Sequence, residues 1–102
     1  MNFIDFIRTF PPQGDKRLQS FIDLAKNDMD FPPTSDPSKL AIYLYKKLNP
    51  VQTTAFQNCL MIYSKLPDNE LPKRFFGRAD MPLMAINIIV SLQNFDSEYP
   101  WN

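Results

Sequence analysis

Seven cationic side chains, Lys39, Lys46, Lys47, Lys65, Lys73, Arg74 and Arg78, fall between residues 37 and 78, a stretch with only two acids, Asp68 and Glu70. Brought onto one surface they would neutralise several phosphates, and the adjacent Phe75 and Phe76 would offer rings on which exposed bases stack. The flanks carry the opposite sign. Residues 1–36 are net −2, residues 37–78 net +5 and residues 79–102 net −3, so the chain as a whole is neutral. A nucleic-acid module is normally basic over its whole length. The competing reading is therefore a set of solvated helix faces, with the acidic ends of the chain folding over the basic middle.

Other chemistry finds little support. Histidine is absent, which removes the commonest general base and metal ligand together. The single cysteine, Cys59, forms no intramolecular disulfide and has no activating neighbour in sequence, so it reads as a core residue. Asp28, Asp30 and Asp36 are close enough in sequence to suggest an acid–base pair or a cation site. Their setting favours capping and turn hydrogen bonds, because Asp28 follows one helix and Asp36 opens the next. A calcium loop needs more oxygen ligands and a central glycine, which this stretch lacks. No glycine-rich phosphate loop is present. The expectation is a chain with no catalytic residues, no metal and no cofactor.

These residues must be positioned by a fold built from 102 residues, 44% hydrophobic and 14% aromatic, enough for one modest core. Ten prolines against two glycines lie between apolar runs, where they punctuate helices. Phe3, Phe6, Ile7 and Phe10 have the spacing of one helical face, closed by Pro11, Pro12 and Gly14. Asp15 is placed to cap a second helix with the stripe Leu18, Phe21, Ile22 and Ala25. The organising stretch follows. Phe31 is an apolar anchor between extended Pro-flanked segments, and Asp36-Pro37 starts a third helix predicted to run to Leu48. Asn49-Pro50 starts a fourth, predicted to about Lys65, with Val51, Ala55, Cys59, Leu60 and Tyr63 inward and Phe56 and Ile62 widening that face.

Residues 66–78 read as an irregular basic connection. Beyond it Asp80 and Pro82 look like another capped start. Ile86, Ile88, Ile89 and Val90 also suit a strand, but Ala85, Ile88, Ile89 and Leu92 keep helical spacing, so residues 81–92 are predicted as a helix. Such an apolar helix must be covered by the rest of the domain or by a partner. The tail, residues 94–102, is acidic and aromatic. No apolar run approaches the ~20 residues that span a bilayer, and the amino terminus lacks the basic region and cleavage site of a signal peptide. The expected location is a reducing cytoplasm, with no membrane partner.

The aromatic first helix (Phe3, Phe6, Ile7), the segment Asp28, Phe31, Pro32, Thr34, Ser35, the helix ending in Tyr43-Leu44, and Phe56, Leu60 and Tyr63 on the fourth helix resemble the YozE-like family of small bacterial proteins. The resemblance covers about residues 3–66. It implies a compact helical bundle like that of the sterile alpha motif, without a defined biochemical role. Position 60 departs from the pattern, since the family usually has Trp there, and residues from about 67 onward lie beyond the family's end.

The expectation is thus an all-α protein of four to five short helices: a bundle over residues 1–66, a basic loop and apolar helix over 67–93 packed on the same domain, and a tail over 94–102. Two functions are compatible with it. In the first, the chain is an interaction module or accessory subunit that meets a protein partner, or a second copy, through Phe75, Phe76, Ile89 and Trp101. In the second, it is an accessory nucleic-acid-binding protein, of the kind found with a phage or mobile element, using the seven cations.

Overall fold

The computed structural model describes residues 1–100, and its architecture follows from how each helix is started and stopped. Helix α1, Phe3–Arg8, is capped by the Asn2 side chain accepting from the Asp5 amide, 2.9 Å. Helix α2, Lys16–Lys26, is capped by Asp15, which accepts from the amides of Arg17 and Leu18. A short connection lays the two against each other.

The Phe31 segment then reverses the chain. Asp28 accepts from the Asp30 amide at 2.9 Å, and Thr34 Oγ1 accepts from the Asp36 amide at 3.1 Å. Phe31 is buried, its ring stacked on Phe3 (centroids 6.3 Å apart) and edge-on to Tyr43 (5.6 Å). Asp36 then accepts from the Ser38 amide with Pro37 at the first helical position, opening α3, Pro37–Leu44.

Helix α3 stops four residues before the predicted Leu48. Pro50 cannot follow a helical Asn49 without clashing with the preceding turn, and Asn49 is extended (φ −79°, ψ 171°). Residues 45–47 therefore form a turn. The carbonyls released there are taken by the C-terminal end of the chain: Gln93 Nε2 donates to Tyr45 at 3.0 Å, and the Tyr99 hydroxyl donates to Leu48 at 2.6 Å. The tail thus folds back as far as Tyr99, which is buried.

Helix α4, Pro50–Ser64, begins with a reciprocal capping box between Asn49 and Gln52. A short 3₁₀ turn at Lys73–Phe75 interrupts the connection, and α5 runs Met81–Phe95, a helix and three residues longer than predicted. Asp80 does not cap it. Its carboxylate is occupied by the Arg78 guanidinium, at 3.1 and 2.8 Å.

All five helices and no strand are found among the described residues. Helix α4 is the central element, packed on α1, α2 and α5, while α5 also lies along α3. The core centres on Phe3, whose ring meets Phe56 and Tyr63 edge-on at 5.8 and 5.6 Å. Leu60 is wholly buried. The radius of gyration, 13.0 Å, is that of a compact single domain of this length. No helix among the described residues is long and apolar enough to cross a membrane.

Candidate partner-binding surface

Four of the seven cations are paired with carboxylates of the same chain. Lys46 lies 3.7 Å from Asp96 and Lys47 4.0 Å from Asp28, with its ammonium over the Tyr43 ring. Arg74 pairs with Asp36 and stacks on Phe75, and Arg78 holds Asp80. All four pairs join the basic middle to an acid of the flanking segments, and two of them, Lys46 with Asp96 and Lys47 with Asp28, hold the end of α3 between the tail and the Phe31 segment. Lys39, Lys65 and Lys73 are exposed and make no ion pair among the described residues.

Asp28 and Asp36 serve as turn and cap residues with charged partners. Burial acts to raise the pKa of Asp36, but hydrogen bonds from Arg74 and the α3 amides outweigh it and hold the carboxyl below its ordinary value. Asp28 behaves alike: burial is opposed by the Tyr43 hydroxyl, the Asp30 amide and Lys47, and the net shift is downward. Burial, with the Asp28 carboxylate second, pushes Tyr43 up to about 12. Burial alone pushes the Cys59 thiol up to about 12, so it carries no thiolate near neutrality. No group of three or more metal-ligating side chains occurs among the described residues.

Of the four side chains expected at a protein interface, two are not available to one. Phe75 (4% exposed) and Ile89 (0%) belong to the domain's own core, because the 3₁₀ turn points Phe75 inward and α5 presents Ile89, with Met81 and Ala85, to the interior. Phe76 is 63% exposed, and Trp101 lies outside the described residues. A depression of about 560 Å³ between the end of α4 and the start of α5 does bring Lys65, Phe75, Phe76 and Arg78 together.

The larger opening was not anticipated. A groove of about 680 Å³ runs between the start of α2 and the outer face of α4, lined by Leu18, Val51, Ala55, Met61 and Ile62 with Thr54 and Asn58 between them. Gln52 Nε2 donates to Ser20 Oγ at 3.0 Å, joining the two helices beside it. Val51 and Ile62, predicted inward, are 46% and 42% exposed, because α4 turns Phe56, Cys59, Leu60 and Tyr63 to its three neighbours instead. One signal in the sequence marks this face. The fifteen residues of α4 contain no charged side chain, and neither do the fifteen of α5. Exposed helix faces ordinarily carry charge, whereas the centres of protein interfaces are depleted of it.

Compared with models of known families, with curated proteins and with solved structures, the chain finds no match.

Proposed function

We propose that this protein is a non-catalytic interaction module, and that it receives a helix of a protein partner in the α2–α4 groove. The observation that carries this reading is an open, largely apolar groove whose α4 wall carries no charge, along a helix that also forms the centre of the core. An amphipathic helix seats in such a groove through side chains three and four positions apart. A rigid floor supports that mode. Val51, Met61 and Ile62 stand on the same helix that buries Phe56, Cys59, Leu60 and Tyr63, so the surface is preorganised by the core beneath it.

The nucleic-acid reading has less behind it. Four of its seven cations are engaged with carboxylates of the same chain, and phosphate binding would have to displace those contacts. The resemblance of residues 3–66 to YozE-like proteins is compatible with the interaction reading and adds no ligand to it.

The test compares partners of the purified chain with those of Val51→Asp and Ile62→Asp, two substitutions at exposed positions. A captured protein that rebinds in purified form, loses binding with either variant and is indifferent to salt supports the reading. Binding of labelled single- or double-stranded DNA that weakens steeply with salt and with Lys39→Glu or Lys73→Glu, while the groove variants bind normally, overturns it.

A further inference from the structure

The outer face of α4 carries a pattern that selects among possible occupants of the groove. Val51, Thr54, Asn58 and Met61 are exposed and follow one another at spacings of three, four and three residues, the interval of a helix–helix seam. In order, their characters are apolar, polar, polar, apolar. Ala55, between the two polar positions, floors the groove with a small side chain that lets another backbone come close.

This order reads the same in both directions. A two-fold axis perpendicular to α4 at position 56 sets Val51 against Met61 of a second molecule, and Thr54 against its Asn58. Apolar groups then meet apolar groups, and the Thr54 hydroxyl meets an amide able both to donate to it and to accept from it. A two-fold interface must be self-complementary in this way, since one patch supplies both sides. The face also carries no net charge to repel its own copy, and a partner chosen by charge would find nothing on α4 to recognise. At the rim, Asp15 and Arg17 of α2 supply one charge of each sign, so the rim too lacks a like-charged block.

From this self-complementarity we infer that the α4 groove is a homodimer interface, in which α4 of one copy lies antiparallel on α4 of another. The inference rests on the interaction reading above and names the partner as a second copy of this chain. A fifteen-residue helix is about 22 Å long, and with one flanking helix it covers less than the roughly 800 Å² per subunit of a standard stable interface. The dimer is accordingly weak and reversible.

Sedimentation velocity from about 1 μM to about 1 mM protein tests it, over the range in which a weak dimer assembles. The expected result is a concentration-dependent monomer–dimer equilibrium whose dissociation constant rises about tenfold or more in Met61→Asp, with unchanged circular dichroism because Met61 is exposed in the monomer. Register is read separately by disulfide trapping. An equimolar mixture of Thr54→Cys and Asn58→Cys chains should crosslink faster than either alone, with the native Cys59 remaining buried and unreactive. A sample that stays monomeric throughout overturns the inference, as does a dimer that Met61→Asp leaves intact. Either result leaves the interaction reading standing with a different protein in the groove; salt-sensitive DNA binding by a monomer is the separate outcome that removes both.

Discussion

The Tyr63 hydroxyl donates to the Met1 carbonyl, 2.6 Å away and 62 positions earlier in the chain. Its one proton is thereby used, so the Ser35 hydroxyl, 2.9 Å distant, must be the donor in their contact, and the Glu70 amide donates to the same Tyr63 oxygen at 2.8 Å. Ser35 in turn accepts from the Phe3 amide at 3.1 Å. The Tyr63 and Ser35 oxygens together thus tie the start of the chain and α1, the Phe31 segment, α4 and the basic connection to one another. Tyr63→Phe keeps the ring in the core and takes away the partner of the buried Ser35 hydroxyl. The expected cost is about 1–3 kcal/mol in urea unfolding. The double variant with Ser35→Ala should lose less than the two single losses combined, since both remove the same network.

Asp36 links acid stability to the same region. Burial works against its charged form, yet Arg74 and the α3 amides hold its pKa below the ordinary 3.8. A carboxyl lowered on folding contributes stability that is full above its unfolded pKa and is lost as pH falls through the folded value. Asp28, also lowered, adds to the slope in the same window. Urea midpoints should therefore fall between about pH 5 and pH 2. Asp36→Asn, which retains a good capping side chain, should flatten part of that fall and leave α3 intact by circular dichroism.

At the alkaline end the buried thiol contributes, beside Tyr43 and Tyr99, which are also raised. Cys59 rises from 9.0 to about 12 because burial penalises the thiolate. A group raised on folding contributes stability that is present below its unfolded pKa and lost as pH climbs toward the folded one, here between 9.0 and about 12. Native protein at pH 8 should react with an aromatic disulfide reagent only as fast as the core opens, and urea should accelerate the reaction sharply. Prompt labelling of the native chain would contradict the burial of Cys59.

The all-helical fold was legible because its punctuation is local: Asp36-Pro37 and Asn49-Pro50 each place a cap and a first-turn proline side by side, and both start helices where expected. The facing of those helices was not. Helix α4 is apolar around most of its circumference, so periodicity alone placed Val51 and Ile62 inward, and only the packing of α1, α2 and α5 decides which side is left open. Adjacent Phe75 and Phe76 look identical in sequence, yet the 3₁₀ turn buries one and exposes the other. Arg78 could not be seen to capture Asp80 and leave α5 uncapped, although the two are only two residues apart. The pairing of Lys46 with Asp96 depends on the tail reaching α3, a contact made by Tyr99 and Gln93 across about half the chain.

That tail contact gives its own prediction. Tyr99→Phe removes the shorter of two hydrogen bonds to the Leu48 carbonyl, the acceptor released where α3 stops short of Pro50, and leaves it only Gln93 Nε2 at 3.4 Å. Loss of one such hydrogen bond costs about 0.5–1.5 kcal/mol. Hydrogen exchange should then rise in the turn at residues 45–48 and in the last turn of α5, with the Tyr63 network unaffected. Uniform acceleration across all five helices would mean that the tail is part of the cooperative core.

Charge reversal separates structural cations from solvated ones. Lys46→Glu sets a second acid beside Asp96, and Arg74→Glu sets one beside Asp36 while removing a guanidinium from the Phe75 ring. Surface pairs contribute only about 0–1 kcal/mol each, and reversal adds repulsion of similar size, so each variant should lose on the order of 1 kcal/mol, more at low salt than at high. Lys39→Glu has no ion-pair partner to lose among the described residues and should stay within about 0.5 kcal/mol of the parent. Stability at two salt concentrations, measured beside DNA titration of the same three proteins, distinguishes the roles. If Lys46 and Arg74 fasten the acidic flanks to the middle of the chain, their reversal shifts unfolding and leaves DNA titration flat. If all three reversals instead abolish a salt-sensitive DNA affinity without changing stability, the ion pairs give way to phosphate and the basic middle is a binding surface after all.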